Sequence, residues 1–280
     1  MREGIYRFVQ SYYTEILAVL PVTLLMIGLL IAVVFDSYTQ KRQRRIMLII
    51  CALVFSLIAQ NYLDYLLTLG RPMIMLRRVV DIYGYSVRPI ILLLFLYIVR
   101  SPKPGYAYWG LIGINTAIHL TALFTDICFT IDANNMFQGG HPVLKNSCLI
   151  TSLFLLGKLL YSTIRDYRAS RRKEVCIPVF AVFAILLSLL LDASVLDTSQ
   201  PVSFLTISIV ISSVLYYIWL HFQFVRAHEK ALAAEQRIQI MMSQIQPHFL
   251  YNTLATIRSL CLRSPETAAR TIDKFSKYLR

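Results

Sequence analysis

One histidine in this chain stands in surroundings suited to chemistry. His248 falls within Gln244 to Ile257, which reads Q-I-Q-P-H-F-L-Y-N-T-L-A-T-I. A neutral imidazole is a nucleophile near pH 7, and an ordinary pKa of about 6.5 leaves it mostly neutral there. Acceptance of a phosphoryl group needs such a side chain. Asn252 comes four residues later, on the same face of a helix, where it can orient the ring by hydrogen bonding. Pro247 removes a backbone donor and can bend a helix beside the histidine. A histidine without such neighbours would read as an ordinary polar residue on a bundle surface.

The elements that must position His248 follow from the same stretch. Leu250, Leu254, Ile257 and Cys261 recur at helical spacing on one face. Ser264-Pro265-Glu266 is a helix start, with serine as N-cap, proline in the first helical position and an acid in the first turn. Ala268, Ile272, Phe275 and Leu279 form a second apolar stripe. Two such helices make a hairpin. One hairpin cannot bury both stripes, whereas two form a dimeric four-helix bundle. Upstream, a heptad seam runs through Phe224, Ala231, Ile238 and Ile245, with Ala227, Ala234 and Met241 in the other seam position. This predicts a helix over 225–243 paired with a partner helix; the alternative is a single amphipathic helix on the membrane surface.

The 244–257 segment resembles the phosphoacceptor region of LytS/YehU-type sensor histidine kinases, Q-I-x-P-H-F-L-[FY]-N-x-L-x-x-I. It matches at Gln244, Ile245, Pro247, His248, Phe249, Leu250, Tyr251, Asn252, Leu254 and Ile257. The likeness continues to Lys277, Tyr278, Leu279 and Arg280. The resemblance implies autophosphorylation of His248, with Mg-ATP as donor, and transfer to an aspartate of a response regulator, often one with a DNA-binding output domain. It also implies a homodimer. Many histidine kinases carry an acid directly after the phosphoacceptor. Here, as in the resembled family, that position is Phe249, so a base must come from elsewhere. No Gly-rich nucleotide motif or N-box-like run is legible in the sequence. ATP and magnesium are therefore expected on an ATP-binding domain not present in this chain, which is either a fragment or works with a separate catalytic chain, and the chain alone is not expected to be active.

The rest of the chain has the composition of a membrane protein. Of 280 residues, 57% are hydrophobic and 15% charged, and the mean hydropathy is +0.59. A soluble domain carries about a quarter charged residues. The apolar excess falls in seven runs: Ile16 to Phe35, Ile46 to Leu67, Val79 to Val99, Ala107 to Thr125, Cys148 to Ile164, Val175 to Leu191 and Ser203 to Phe224. Each is near the roughly 20 residues a spanning helix needs. The expected fold is all-α: a seven-helix transmembrane sensor domain over 1–224, a signalling helix over 225–243 and the hairpin over 244–280.

The net charge of +13 does not form a nucleic-acid stripe, because the basic residues sit in clusters between apolar runs. Lys41, Arg42, Arg44, Arg45, Arg100, Lys103, Arg165, Arg168, Arg171, Arg172 and Lys173 fall on one side of the membrane, and Arg2, Arg7, Arg71, Arg77, Arg78 and Lys145 on the other. The positive-inside rule puts the richer side in the cytoplasm of a bacterial cell, the N-terminus outside and the C-terminus inside. The clusters favour anionic lipid as a neighbour.

Polar residues inside the runs are costly and mark candidate sensing positions. Asp64 lies in the second run, Asp81 and Arg88 in the third, Asn115 and His119 in the fourth. Asp64 or Asp81 is expected to pair with Arg88, either as part of an outward-facing pocket or as a structural ion pair. Cys128 and Cys148 bracket the longest outer loop, 126–147, as a disulfide or as two free thiols. The cysteines show no metal-ligand spacing. A reading without phosphotransfer, as a seven-helix receptor or transporter, leaves the P-H-F-L-Y-N segment without a role.

Overall fold

The computed structural model describes residues 2–70, 73–99, 105–133, 135–167, 175–194, 201–244 and 247–279. Ten α-helices, a 3₁₀ turn and one small hairpin make up the described elements. They are α1 Arg2–Phe35, α2 Lys41–Leu69, α3 Ile74–Val99, α4 Tyr106–Leu120, β1 Phe129–Ile131, β2 Phe137–Gly139, α5 Pro142–Lys145, α6 Ser147–Tyr167, α7 Cys176–Ser194, α8 Phe204–Gln244, α9 Pro247–Arg263 and α10 Pro265–Leu279. The chain divides into two compact units, 1–224 and 225–280. Several sequence-based expectations lie outside the described residues. These are Ile245 of the seam, the loop residues Arg71, Arg100, Lys103, Arg168, Arg171, Arg172 and Lys173, and Arg280.

The first unit is an all-α bundle with α3 at its centre, packed against α2, α4 and α6. Val87 and the run Ile91 to Leu96 of α3 are buried. They meet Leu57 of α2, Leu155 and Leu159 of α6, Ile185 of α7 and Ile209 and Tyr216 of α8 in one core. Leucines elsewhere, such as Leu17, Leu24 and Leu190, stay exposed. Burial inside and apolar exposure outside is the pattern of a bundle whose solvent is lipid.

Among the described residues five stretches are long and apolar enough to cross a membrane: Leu17–Phe35, Lys41–Leu69, Ile74–Val99, Ser147–Arg165 and Phe204–Met241. The seven apolar runs lie largely in helices, the sixth and seventh beginning one residue before α7 and α8. The fourth departs most from its expected span. The helix stops at Leu120, a 3₁₀ turn covers Thr121–Leu123, and β1 follows, packed on α3. Fifteen residues rise only about 22 Å, short of the roughly 30 Å hydrocarbon core. The α7 stretch, Cys176–Asp192, is likewise shorter.

Proline and asparagine explain how α3 survives an interruption. Pro89 lies inside α3 and has no N–H to give the Tyr85 carbonyl one turn back. Asn115 of α4 supplies the donor: its side-chain amide nitrogen lies 3.1 Å from that oxygen. The Asn115 amide oxygen in turn accepts a bond from the Ser147 hydroxyl of α6 at 3.0 Å. Three helices are thus tied where α3 is weakest, at a residue only 1% exposed.

Other polar contacts fix the N-terminal end of α8. Asp192 accepts the amides of Phe204 and Leu205, both at 3.0 Å, a carboxylate where the helix dipole favours one. Asn61 of α2 donates to the Thr206 hydroxyl at 2.9 Å and accepts the Ser203 amide at 3.2 Å.

Candidate functional site

In the second unit, α9 and α10 pack against each other as the expected hairpin. The turn follows from local chemistry. The Ser264 carbonyl takes the first helical bond, from the Ala268 amide at 3.1 Å, its hydroxyl meets that of Thr267 at 2.8 Å, and Pro265 opens α10 with Glu266 in the first turn. Ile257 and Ala268 are buried between the helices. Phe249 closes the open end against Phe275 and Tyr278, with ring centroids 6.2 and 5.1 Å away.

Pro247 is the first residue of α9 and His248 the second. The proline thus starts a helix rather than bending one, in the position where its missing N–H costs nothing. Gln244 ends α8. The side chains of Gln244, Pro247 and His248 lie outside the described ones. Asn252 stands one turn beyond His248 on α9, and its carbonyl accepts the Thr256 hydroxyl at 2.8 Å. Leu254 is 54% exposed and Ile272 47%, so this hairpin leaves part of its apolar surface open.

The candidate sensing residues sit at one end of the first unit, in two sets. Asp64 pairs with Arg77, not with Arg88: Arg77 Nε lies 2.9 Å from its carboxylate. Arg77 also donates to the carbonyl and side-chain oxygen of Asn135. It wins this partner because it faces the C-terminal part of α2, whereas Arg88 lies three turns deeper along α3. Asn135 adopts a left-handed backbone, φ 62°, which asparagine tolerates better than most residues, and its side chain donates to the Leu67 and Thr68 carbonyls at 2.7 and 3.1 Å. The neighbouring Arg78 reaches the Ala122 carbonyl, Asp126 and the Thr130 hydroxyl at 3.2, 3.3 and 2.6 Å. Two adjacent arginines therefore clamp the loop that carries β1 and β2.

The second set surrounds Tyr85. Arg88 stands over its ring at 5.7 Å, and His119 meets the ring edge-on at 4.6 Å. Asp81 interacts electrostatically with Asp64, Arg77 and Arg88. Arg88 Nε and His119 Nε2 are buried without a hydrogen-bond partner among the described residues.

Of the two alternatives for Cys128 and Cys148, the structure has two free thiols, both buried. Cys128 Sγ lies 3.3 Å from His119 Nδ1 and 3.7 Å from the Leu144 carbonyl, contacts that occupy the thiol. Burial pushes the Cys128 thiol pKa up, which makes the thiolate needed for disulfide exchange scarcer. Among the described residues no three His, Cys, Asp or Glu side chains gather as a metal site.

One cluster escaped the sequence reading. In the turn between α1 and α2, Asp36 accepts the amides of Tyr38 and Thr39 at 2.8 and 3.2 Å and the Thr39 hydroxyl. It also meets His221 Nδ1 of α8 at 3.1 Å. Burial by itself would raise the Asp36 pKa. The bonds from Thr39, His221 and the Tyr38 and Thr39 amides outweigh it and hold the group at about 2. An aspartate ending an apolar run, followed by Ser-Tyr-Thr, was the available signal.

Residues 236–280 match the family model described as histidine kinase. The class is therefore a helical membrane protein whose C-terminal segment is similar to histidine kinases. The sensor histidine kinase BtsS of Escherichia coli strain K12 is 33% identical over 52 residues, 19% of this chain and 9% of that protein. The proteins of the same description from Escherichia coli O6:H1 strain CFT073 and Shigella flexneri match to the same extent. The aligned part is thus about a tenth of those relatives' length. No solved structure matches the chain at a significant level.

Proposed function

We propose that this chain is the membrane sensor and phosphoacceptor part of a LytS/YehU-type sensor histidine kinase in a two-component system. An imidazole nitrogen of His248 attacks the γ-phosphorus of Mg-ATP. The new N–P bond forms as the bond to the ADP oxygen breaks, and ADP leaves. The carboxylate of a response-regulator aspartate then takes the phosphoryl group, and the imidazole is restored. ATP and magnesium arrive on an ATP-binding domain. His248 stands in the first turn of α9, where the helix dipole favours the negative charge that phosphorylation adds. Asn252, one turn on, orients the imidazole. A second copy covers Leu254 and Ile272 and completes a four-helix bundle.

The observation that carries this reading is the family match over 236–280, which encloses His248 and the hairpin that presents it. In the membrane we propose seven spans, α1–α4 and α6–α8, with the N-terminus outside. Asp81, Arg88 and His119 would then line an outward-facing sensing pocket around Tyr85. The two buried nitrogens without partners support a pocket, since such groups ordinarily bind something. Asn115 has a structural task at Pro89 and sits at the pocket's edge.

The test mixes the chain, in nanodiscs, with Mg-ATP and the separately produced ATP-binding domain of a related kinase. Acid-labile, base-stable phosphate on His248, absent from His248→Gln, is the expected result. An unlabelled chain beside a labelled full-length relative would overturn it. Unchanged stimulus-dependent labelling in a well-folded Arg88→Leu variant would remove Arg88 from the pocket.

A further inference from the structure

We infer that the Asp36–His221 pair is a proton-sensitive latch that holds the α1–α2 turn to the base of the helix leading into the kinase segment. The inference rests on the kinase reading for its output and on geometry for its parts. From Phe204 to His221, α8 rises about 26 Å, close to the thickness of a hydrocarbon core. His221 therefore stands where α8 leaves the bundle, three residues before the first unit ends at Phe224.

The turn grips α8 at several points. Asp36 is 6% exposed and is fixed by the Tyr38 and Thr39 amides and the Thr39 hydroxyl. Arg44 of α2 donates to the Asp36 carbonyl at 3.4 Å. Tyr217, one turn before His221, donates its hydroxyl to the Ala32 carbonyl of α1 at 3.1 Å. The His221 ring packs edge-on to Tyr38 at 5.9 Å and beside Tyr217 at 6.0 Å. The titratable and charged groups described around it are thus Asp36 and Tyr38 from the turn, Arg44 from α2 and Tyr217 from its own helix.

The asymmetry of the pair makes it a switch. The carboxylate is buried and keeps its charge to low pH, while the imidazole side chain is 36% exposed and can exchange a proton with water. Histidine is the side chain that ordinarily changes charge between pH 5 and 8. With His221 protonated, the contact is a charge-assisted hydrogen bond across the turn. With it neutral, the contact loses its ionic part, and the base of α8 is released to move. A neutral imidazole still donates to the ionised carboxylate, so the hydrogen bond survives and what is lost is the attraction between opposite charges.

The experiment compares wild type with His221→Lys and His221→Gln in nanodiscs, at about pH 5.5 and pH 8, with Mg-ATP and the separate ATP-binding domain. Wild-type labelling of His248 should differ by about fivefold or more between the two pH values. His221→Lys should stay at the acid level and His221→Gln at the alkaline level. Backbone deuterium exchange, comparing proteins at one pH, is the second readout. At pH 8 residues 36–39 should exchange more slowly in His221→Lys than in wild type, with the two equal at pH 5.5. Flat wild-type labelling, or variants that keep the wild-type pH profile, would overturn the latch. Absence of label on His248 at every pH would count against the kinase reading alone. Exchange would still decide the latch in that case: faster wild-type exchange at pH 8 supports it, and no difference removes it. If His221→Lys does not fold, Asp36→Asn takes its place and should exchange fast at both pH values.

Discussion

The tie between Pro89 and Asn115 makes a quantitative prediction that a coincidental contact would not. Asn115→Leu keeps similar bulk but removes the donor from the Tyr85 carbonyl and the acceptor from the Ser147 hydroxyl. Side-chain hydrogen bonds between membrane helices average only about 0.6 kcal/mol. This one should cost more, because a buried carbonyl left unpaired costs about 1–3 kcal/mol, and Pro89 prevents α3 from pairing it internally. A destabilisation of about 2 kcal/mol is expected, read from denaturant or thermal unfolding in mild detergent. The decisive measurement is the double-mutant cycle. Pro89→Ala restores a backbone N–H that can reach the Tyr85 carbonyl. In that background Asn115→Leu should lose about 1 kcal/mol or more of its cost. If the two substitutions add to within about 0.5 kcal/mol, asparagine is not standing in for the missing amide, and the reasoning fails.

The Asp36 carboxylate, held at about 2, gives a pH dependence whose sign is fixed. Its folded pKa lies below the ordinary 3.8, so its contribution is complete above pH 3.8 and is lost as pH falls through 2. About 2 kcal/mol should disappear over that window in acid-unfolding curves and be missing from Asp36→Asn. Arg77→Met should cost about 2–3 kcal/mol by leaving Asp64 and the Asn135 carbonyl without their partner, and should speed proteolysis within 126–147 more than elsewhere. Unfolded without reductant, the protein should expose both Cys128 and Cys148 to maleimide, as free thiols; protection of the two until reduction would restore the bridge.

The sequence carried the hairpin well because each of its parts is local. Ser264-Pro265-Glu266 encodes its own helix start, and the spacing of Ile257 and Ala268 puts both in the closed interface. Apolar runs also marked the bundle helices, since lipid imposes length and composition together. Pairing between runs was not legible in the same way. Nothing local says that Asp64 meets Arg77 rather than Arg88, or that Cys128 turns toward His119; both depend on how α2, α3 and the outer loop register in space. The role of Asn115 was hidden for a different reason. It is understood only with Pro89 on another helix, and a polar residue in an apolar run reads first as a sensor. Asp36 and His221, 185 positions apart, share no pattern that spacing could show.

The 41 residues of α8 include neither glycine nor proline and form one helix, about 62 Å long. A rod of that kind has no joint at which to fold. A message entering at its bundle end has two mechanical forms left to it, a twist about the long axis or a shift along it. On the proposed sensor reading, torque or stroke is therefore the form in which an ordering of the bundle by a stimulus would travel along α8.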